Sequence, residues 1–319
     1  MTIHSPAASS NSSVTPAFGS AQGSPLKIAL QFVGMAFAWG ASFLFMKVSL
    51  DGMTWGQIAW ARILIGAITM LVIVLFMRER MPRDLKLWAH LAVAGLSGVA
   101  LPFLLWAWAE QYISSALASI FNGITPITTA LMVTFAFHVE KLSRNQIIGI
   151  AIGLGGVFVI IAPWDGGLFG GSLWGQVAAI LATICYGFTG GYLRKYVTPR
   201  GISAPMVAFG QVGTAAILMI VLSPVLLPGP VVLNGWIILS MLALGIFGTG
   251  IAFLWNINVM RAWGPTRNST VTYLTPIIGV ALGVLILNER LSWNEPVGAA
   301  IAIVGILVMR QRARLRAPR

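Results

Sequence analysis

Residues 115–137 read SALASIFNGITPITTALMVTFAF, with no Asp, Glu, Lys or Arg anywhere in the run. As a helix rising 1.5 Å per residue, this stretch crosses the roughly 30 Å hydrocarbon layer of a bilayer. Similar apolar stretches lie on both sides, and the spacing predicts spans at 28–48, 55–77, 87–109, 115–137, 146–163, 173–193, 204–227, 235–259, 267–287 and 293–309. The composition agrees. The chain has 319 residues, 57% hydrophobic and only 9% charged, and its mean hydropathy is +0.86. Soluble domains carry about 25% charged residues, so no water-facing surface can be assembled from this chain. Soluble enzymes, nucleic-acid binders and secreted disulfide scaffolds are excluded.

The net charge of +12 is explained by topology rather than by a nucleic-acid partner. With the N-terminus cytoplasmic, Lys27, the Arg78–Lys86 loop, Lys141, Arg144, Arg194, Lys195, Arg200, Arg261, Arg267 and the Arg310–Arg319 tail share one side. Of the 20 Lys and Arg only Lys47, Arg62 and Arg290 remain. Cytoplasmic loops retain basic residues, so both termini are expected to be cytoplasmic. Trp55, Trp88, Trp164, Trp174, Trp236, Trp263 and Trp293 fall at expected span ends, the usual headgroup anchors facing membrane lipid. Residues 1–26 lack an apolar run flanked by positive charge; they read as a disordered lead-in and not as a secretory signal. Cys185 is the single cysteine, and His4, His90 and His138 are scattered, which leaves no metal cluster and no cofactor motif.

The chain also repeats itself. Trp39-Gly40-Ala41-Ser42 matches Tyr186-Gly187-Phe188-Thr189; Gly95, Gly98 and Phe103 match Gly245, Gly248 and Phe253; Thr125-Pro126 matches Thr275-Pro276. Glu140, Leu142-Ser143, Asn145, Gly149 and Gly156 likewise match Glu289, Leu291-Ser292, Asn294, Gly298 and Gly305, all at offsets of 147 to 150. The expected fold is therefore all-α and integral to the membrane, with ten transmembrane helices in two five-helix copies. Five is odd, so the second copy enters from the opposite side. Inverted repeats recur in secondary transporters, with the solute site near the midplane between them.

At these residues the sequence resembles the drug/metabolite transporter superfamily, in particular the ten-helix family with paired EamA domains. The matching stretches are WGASFLFMK (39–47) with Arg62 in the next helix, SSALASIFNGITP (114–126), FLWNINVMRAWGPTRNSTVTYLTPIIGVALGVLILNERLS (253–292) and VGAAIAIVGILVM (297–309). The resemblance implies EamA repeats at 27–163 and 164–309, a basic cytoplasmic tail at 310–319, a cavity between the halves, usually solute efflux, and a multi-pass place in a bacterial inner membrane. Family cargo includes amino acids, nucleobase-like compounds, sugars, cofactors and drugs. The chain looks closer to bacterial exporters than to nucleotide-sugar or triose-phosphate carriers.

The expected substrate site combines Trp39, Ser42, Asn122, Tyr186, Asn256 and Tyr273, residues paired by the repeat or adjoining it, on helices the family uses for its cavity. Aromatic rings can cover an apolar solute body while Ser and Asn bond its polar ends. With no charge in this set, a polar but not strongly anionic solute is expected. Ser115, Ser119, Asn122, Thr125 and Thr129 share one helical face, as do Ser269, Thr272, Thr275, Gly279 and Gly283; each stripe can line a solute path or pack on a helix. Pro126 and Pro276 each remove a backbone donor and are expected to bend their helices at mid-membrane, as kinks or gating points. Lys47 and Arg62 are the intramembrane charges: Lys47 can snorkel from its position near the external end, and Arg62 reads chiefly as a structural pairing or backbone cap. Glu110 reads as a solvated span end more than as a proton contact. Gly149/Gly153 and Gly279/Gly283 fit close helix contacts within the subunit or between subunits of a homo-oligomer.

The expected function is secondary transport of small polar metabolites, amino acids or related compounds, through alternating access as residues 1–163 and 164–319 rock against each other. A drug or toxic-compound exporter and a metabolite importer share the fold. A membrane enzyme is disfavoured by the lack of HExxH, GxSxG or a Cys/His pair. A passive channel is disfavoured by the repeats.

Overall fold

The computed structural model describes residues 24–138, 143–162, 171–268 and 271–310, and among these every regular element is helical. Eight helices are long and apolar enough to cross a membrane: α1 (Pro25–Ser49), α2 (Trp55–Phe76), α3 (Leu85–Ala109), α4 (Ser115–Ala136), α5 (Arg144–Ile161), α6 (Leu173–Arg200), α7 (Ala204–Val221) and α8 (Gly235–Val259). Two shorter apolar helices follow, α9 (Val271–Leu287) and α10 (Asn294–Val308). Leu30, Val33 and Phe37 on α1, Ile68 and Leu75 on α2 and Ile217, Ile220 and Val221 on α7 stay exposed, as lipid-facing surfaces require. The chain is a multi-pass membrane protein. The expectations for the lead-in up to residue 23, for Glu140, Lys141, Leu142, Trp164 and Ser269, and for the tail beyond Arg310 lie outside the described residues.

Short polar caps set the helix starts. Ser24, Ser114 and Ser203 accept from backbone amides of the first turns of α1, α4 and α7, and Asn234 does so for α8. Thr54 with Gln57 and Ser143 with Gln146 form capping boxes on α2 and α5, each satisfying two otherwise orphaned donors. Three boundaries differ from expectation. α1 begins at Pro25, inside the expected lead-in, because Ser24 caps it and Pro suits the first turn. α7 pauses at Leu222 and a separate helical turn, Ser223–Leu226, with Pro224 in its first turn, carries the path close to the expected 227. α6 runs on to Arg200, so Arg194 and Lys195 sit on helix and not in a loop. The helical path of α8 continues to Asn268, which carries Arg261 and Arg267 with it.

Two of the helix irregularities fall where the repeat matches. α3 widens into a π-helical turn at Leu96–Ala100 just before Pro102, which accommodates the missing Pro N–H without breaking the helix. α8 has its π-helical stretch at Ala243–Ile251, and Thr249 Oγ1 donates to Leu244 O there at 2.9 Å. The two prolines behave differently from one another. α4 is interrupted at Gly123–Ile124, and Pro126 occupies the first turn of the second segment, where a backbone N–H is dispensable. α9 runs through Pro276 without interruption.

Helix packing crosses the midpoint of the chain. α5 lies along α10, α1 against α9 and α8, α2 against α7 and α8, α3 against α6 and α7, and α4 against α9 and α6. The contacts come in reciprocal sets. A methyl on Gly40 would come within 2.7 Å of Ile278 Cβ, and one on Gly187 within 2.8 Å of the Thr128 carbonyl. Likewise one on Gly98 would meet Thr189 Cγ2 and one on Gly248 would meet Ser42 Oγ, at 2.6 and 2.7 Å. Gly156 faces Gly298 and Ala302, while Gly305 faces Gly149 and Gly153. These small residues therefore make helix contacts within the chain. A split at residue 163/164 would part every one of these pairs, so the two sequence halves pack on each other through them.

Candidate solute cavity and vestibule

A cavity of about 280 Å³ opens among α1, α2, α3, α4, α6, α7, α8 and α9. Trp39, Ser42, Asn122, Tyr186 and Asn256 all line it, so five of the six expected site residues come together. Tyr273 does not join them; Val271 and Thr272 face the cavity, and one residue further round the helix, about 100° on, Tyr273 packs against the main apolar core. Sequence reasoning missed most of the aromatic wall. Phe43 stands edge-on to Trp106 at 5.2 Å, and Phe253 stands edge-on to Trp39 at 6.4 Å and to Phe103 at 6.3 Å. Phe103 and Phe253 are partners in the repeat, a signal that was present without a role attached to it.

The polar stripes divide between two tasks. Ser115 and Ser119 are wholly buried and pack against Gly283 and Gly279 of α9. Asn122, Thr125 and Thr129 face the cavity. Asn122 Nδ2 donates to Thr275 Oγ1 at 3.3 Å, tying α4 to α9, and Thr125 Oγ1 donates to the Asn122 carbonyl at 2.6 Å. The carbonyl left free by the α4 interruption is thus bonded within the chain.

Arg62 ties α2 to α8 through a backbone carbonyl, one of the two roles expected of it, and also lines the cavity, although the residue is only 3% exposed. Nε donates to Thr249 Oγ1 at 3.0 Å, one Nη to Ser42 Oγ and Gly248 O at 3.4 Å, and the other Nη to the Met46 sulfur at 3.4 Å. Its Cζ lies 3.8 Å over the Phe103 ring. Every bonding partner is neutral, and no carboxylate stands in ion-pair contact with it among the described residues. The expected chargeless centre is therefore replaced by a buried cation. The weak sulfur acceptor leaves one edge of its fork under-bonded, and the buried indole N–H of Trp106, which lines the same cavity, has no acceptor in good geometry.

A larger vestibule of about 890 Å³ lies at the end of the bundle where α1 meets α2, lined by Lys47, Asp51, Trp55, Glu110, Leu226 and Glu289 among others. Lys47 does not reach past its helix toward solvent. Its Nζ donates to the carbonyls of Glu110 at 2.6 Å and Ile113 at 3.0 Å, capping the end of α3. Glu289, following α9, accepts from Ser115 N, Ser115 Oγ and Ala116 N at 2.8 to 3.0 Å, an acid on a helix N-terminus. Glu110 is not a solvated span end: it is fully buried and neither carboxyl oxygen has a hydrogen-bond partner. Gly175 of α6 lies directly on this turn, facing the Ala109 carbonyl. Glu110 lies one residue beyond the Leu85–Ala109 span, and burial holds its carboxyl well above the ordinary range, with Lys47 opposing, Glu289 adding and Arg62 opposing. At the other end of the bundle charges pair in the usual way: Arg200 with Asp84 at 2.8 Å, and Ser203 Oγ donating to Glu79 at 2.7 Å.

An all-helical membrane bundle with a cavity shared by helices from both parts of the chain is a carrier-type architecture, and the comparisons agree. The model of the EamA-like transporter family matches residues 26–162 and again 173–311. The chain belongs to the EamA-like transporter family. It is similar to an uncharacterised inner membrane transporter, YedA, of Escherichia coli, 24% identical over 285 residues that cover 88% of this chain and 90% of that protein. A probable terminal-alkyne amino-acid exporter of Streptantibioticus cattleyicolor is 24% identical over 278 residues, 86% of this chain and 90% of that one. An uncharacterised transporter of Archaeoglobus fulgidus is 27% identical over 275 residues, 86% and 95% of the two chains. One solved crystal structure superposes with a TM-score of 0.65 at 21% identity, covering 92% of this chain and 99% of that one, which establishes the shared fold.

Proposed function

We propose that the protein is a secondary transporter that exports small polar metabolites carrying a carboxylate, amino acids or related compounds, across a bacterial inner membrane. Ten membrane helices arranged as two inverted five-helix repeats, 27–163 and 164–309, would alternate the cavity's access, with both termini cytoplasmic. The matched contacts of Gly40 with Ile278 and Gly187 with Thr128, and of Gly98 with Thr189 and Gly248 with Ser42, support the two-fold relation, as does the double match to the family model. The amino-acid class draws on the name of the Streptantibioticus relative.

The observation that carries the solute class is the under-bonded Arg62 guanidinium in an otherwise neutral, aromatic-walled cavity. An intramembrane cation is costly without a counter-charge, and Arg matches a carboxylate with two parallel bonds. Trp39, Tyr186 and Phe253 would cover the solute's apolar body, while Ser42, Asn122 and Asn256 would bond its other polar groups. Helices would move as interleaved pairs and not as sequence halves. The test compares metabolites in the medium of cells with and without the protein, then measures counterflow of the enriched compounds in proteoliposomes. Export of amino acids with saturable counterflow is expected. Flux without counterflow would mean a channel, and enrichment confined to cationic drugs would overturn the solute class.

A further inference from the structure

The acids among the described residues find partners, with one conspicuous exception. Asp84 pairs with Arg200, Glu79 accepts from Ser203, Glu295 accepts from Ser292 N, and Glu289 holds the α4 N-terminus. Asp51 is exposed. Glu110 alone is buried with both carboxyl oxygens unbonded, although it forms part of the vestibule wall. Leaving an ionised carboxylate in that condition is far more costly than letting it take up a proton.

The charged groups facing Glu110 are Lys47 on α1, Arg62 on α2 and Glu289 after α9. Each is occupied elsewhere. Lys47 Nζ is committed to the Glu110 and Ile113 carbonyls, Arg62 to Thr249, Ser42, Gly248 and the Phe103 face, and Glu289 to the amides of α4. Two helices link this acid to the cavity. Trp106, one turn before Glu110 on α3, lines the cavity, and Met46, adjoining Lys47 on α1, does too. One helical turn is about 5.4 Å, so vestibule and cavity share a thin partition.

We propose that Glu110 is a proton-binding site whose occupancy controls the partition between vestibule and cavity. With the proton bound, the neutral carboxyl stays packed and Lys47 caps the α3 terminus. When the proton leaves into the vestibule, the carboxylate draws the Lys47 ammonium off the Glu110 and Ile113 carbonyls into an ion pair. The last turn of α3 loses its cap and that end of the bundle loosens. On the transporter reading the proton becomes the coupling ion; the site itself does not depend on that reading.

The test needs no solute. Infrared difference spectra of protein in lipid vesicles, recorded across pH, report the protonated-carboxyl band. A nitroxide on Met53→Cys, a vestibule position, in a Cys185→Ser background reports access by a water-soluble nickel chelate. The expected result is a band that persists at pH values above the ordinary carboxylate range and is absent in Glu110→Gln. Chelate access should rise several-fold in the parent protein as the band titrates away, and stay flat in that variant. If Glu110→Gln does not fold, Glu110→Asp should move the band or its midpoint, and Lys47→Met should push the midpoint upward. A band unaffected by Glu110→Gln or Glu110→Asp, or chelate access that ignores pH in the parent protein, would overturn the proposal. Since neither readout uses transport, its failure is separate from failure of the transporter reading.

Discussion

Replacing Arg62 with Met removes the cavity's guanidinium while keeping an unbranched chain of similar reach over Phe103. A hydrogen bond to a charged group contributes about 1.5–3 kcal/mol, so losing the Arg–carboxylate contact should weaken solute binding about 10- to 150-fold. Stability should respond differently. Arg62 gives up bonds to Thr249, Ser42 and Gly248, but the variant also sheds the desolvation of a cation that no carboxylate neutralises. Replacing buried charge by apolar side chains of similar volume is often neutral or stabilising, so Tm without solute should hold or rise. The assay measures binding of the amino acid that wild-type vesicles exchange best, alongside its carboxamide. Wild type should prefer the acid by that same factor, and Arg62→Met should bind the two nearly alike. Arg62→Lys should restore part of the preference, because a point charge replaces the fork. If Arg62→Met still distinguishes acid from amide as wild type does, the guanidinium does not hold the carboxylate and the assignment fails.

The remaining predictions address the aromatic wall, the topology, the moving parts and the buried acid. Trp39→Ala and Tyr186→Ala, on the cavity wall, should weaken solute binding severalfold in surviving protein, whereas Tyr273→Ala, off that wall and half-buried against the apolar core, should leave affinity in surviving protein intact; the reverse pattern would retire the site. Cysteines in the Arg78–Lys86 loop of a Cys185→Ser protein should resist membrane-impermeant reagents added outside cells, while cysteines at vestibule positions such as Met53 should react; the opposite labelling would invert the proposed orientation. A crosslink between the α1–α2 turn at Gly52 and the α7–α8 connection at Val232, whose backbone groups bond at 2.9 Å, should stop counterflow reversibly, and undiminished flux in fully crosslinked protein would show that these segments do not part during transport. For Glu110 the sign follows from its raised pKa. Above the ordinary Glu value of about 4.3, the native state holds a proton that the unfolded chain has released, so stability falls as pH rises until the native carboxyl ionises. Glu110→Gln should flatten that slope in thermal unfolding measured in lipid, and an unchanged slope would count against the burial argument.

What the sequence made legible was periodic or repeated. Span positions came from long uncharged runs, because a bilayer imposes a length on every crossing element. Trp39, Ser42 and Tyr186 line one cavity for a related reason: they hold matching places in the sequence repeat, and under the proposed two-fold relation such places would meet near the centre. Boundaries shifted where a single residue outranked hydropathy, as at Ser24–Pro25. The polar stripe on α4 could not be divided in advance. Ser115 and Ser119 pack on α9 while Asn122 and Thr129 face the cavity, and the interruption at Gly123–Ile124 turns one helical face into two.

The charges were the hardest to read, and for one physical reason. Whether a basic or acidic side chain near a span end is solvated, capped or buried depends on what the neighbouring helices put beside it. Lys47 looked free to snorkel, yet the carbonyls closing α3 come to it. Arg62 read as a structural pairing or backbone cap; it does bond the Gly248 carbonyl, with only neutral partners, and it lines the cavity as well. Glu110 looked solvated, yet α6 presses Gly175 onto its turn. These three residues occupy three different helices or their ends, and none has its partner at a fixed sequence spacing. Hydropathy records each as a cost to be explained, and only the tertiary arrangement shows that none of the three has a counter-charge in contact: Lys47 is met by two carbonyls, while Arg62 and Glu110 are less well bonded. A group so placed in a lipid-embedded protein favours an incoming ion that neutralises it. A solute carboxylate at Arg62 and a proton at Glu110 would each supply one, on either side of a partition about one helical turn thick.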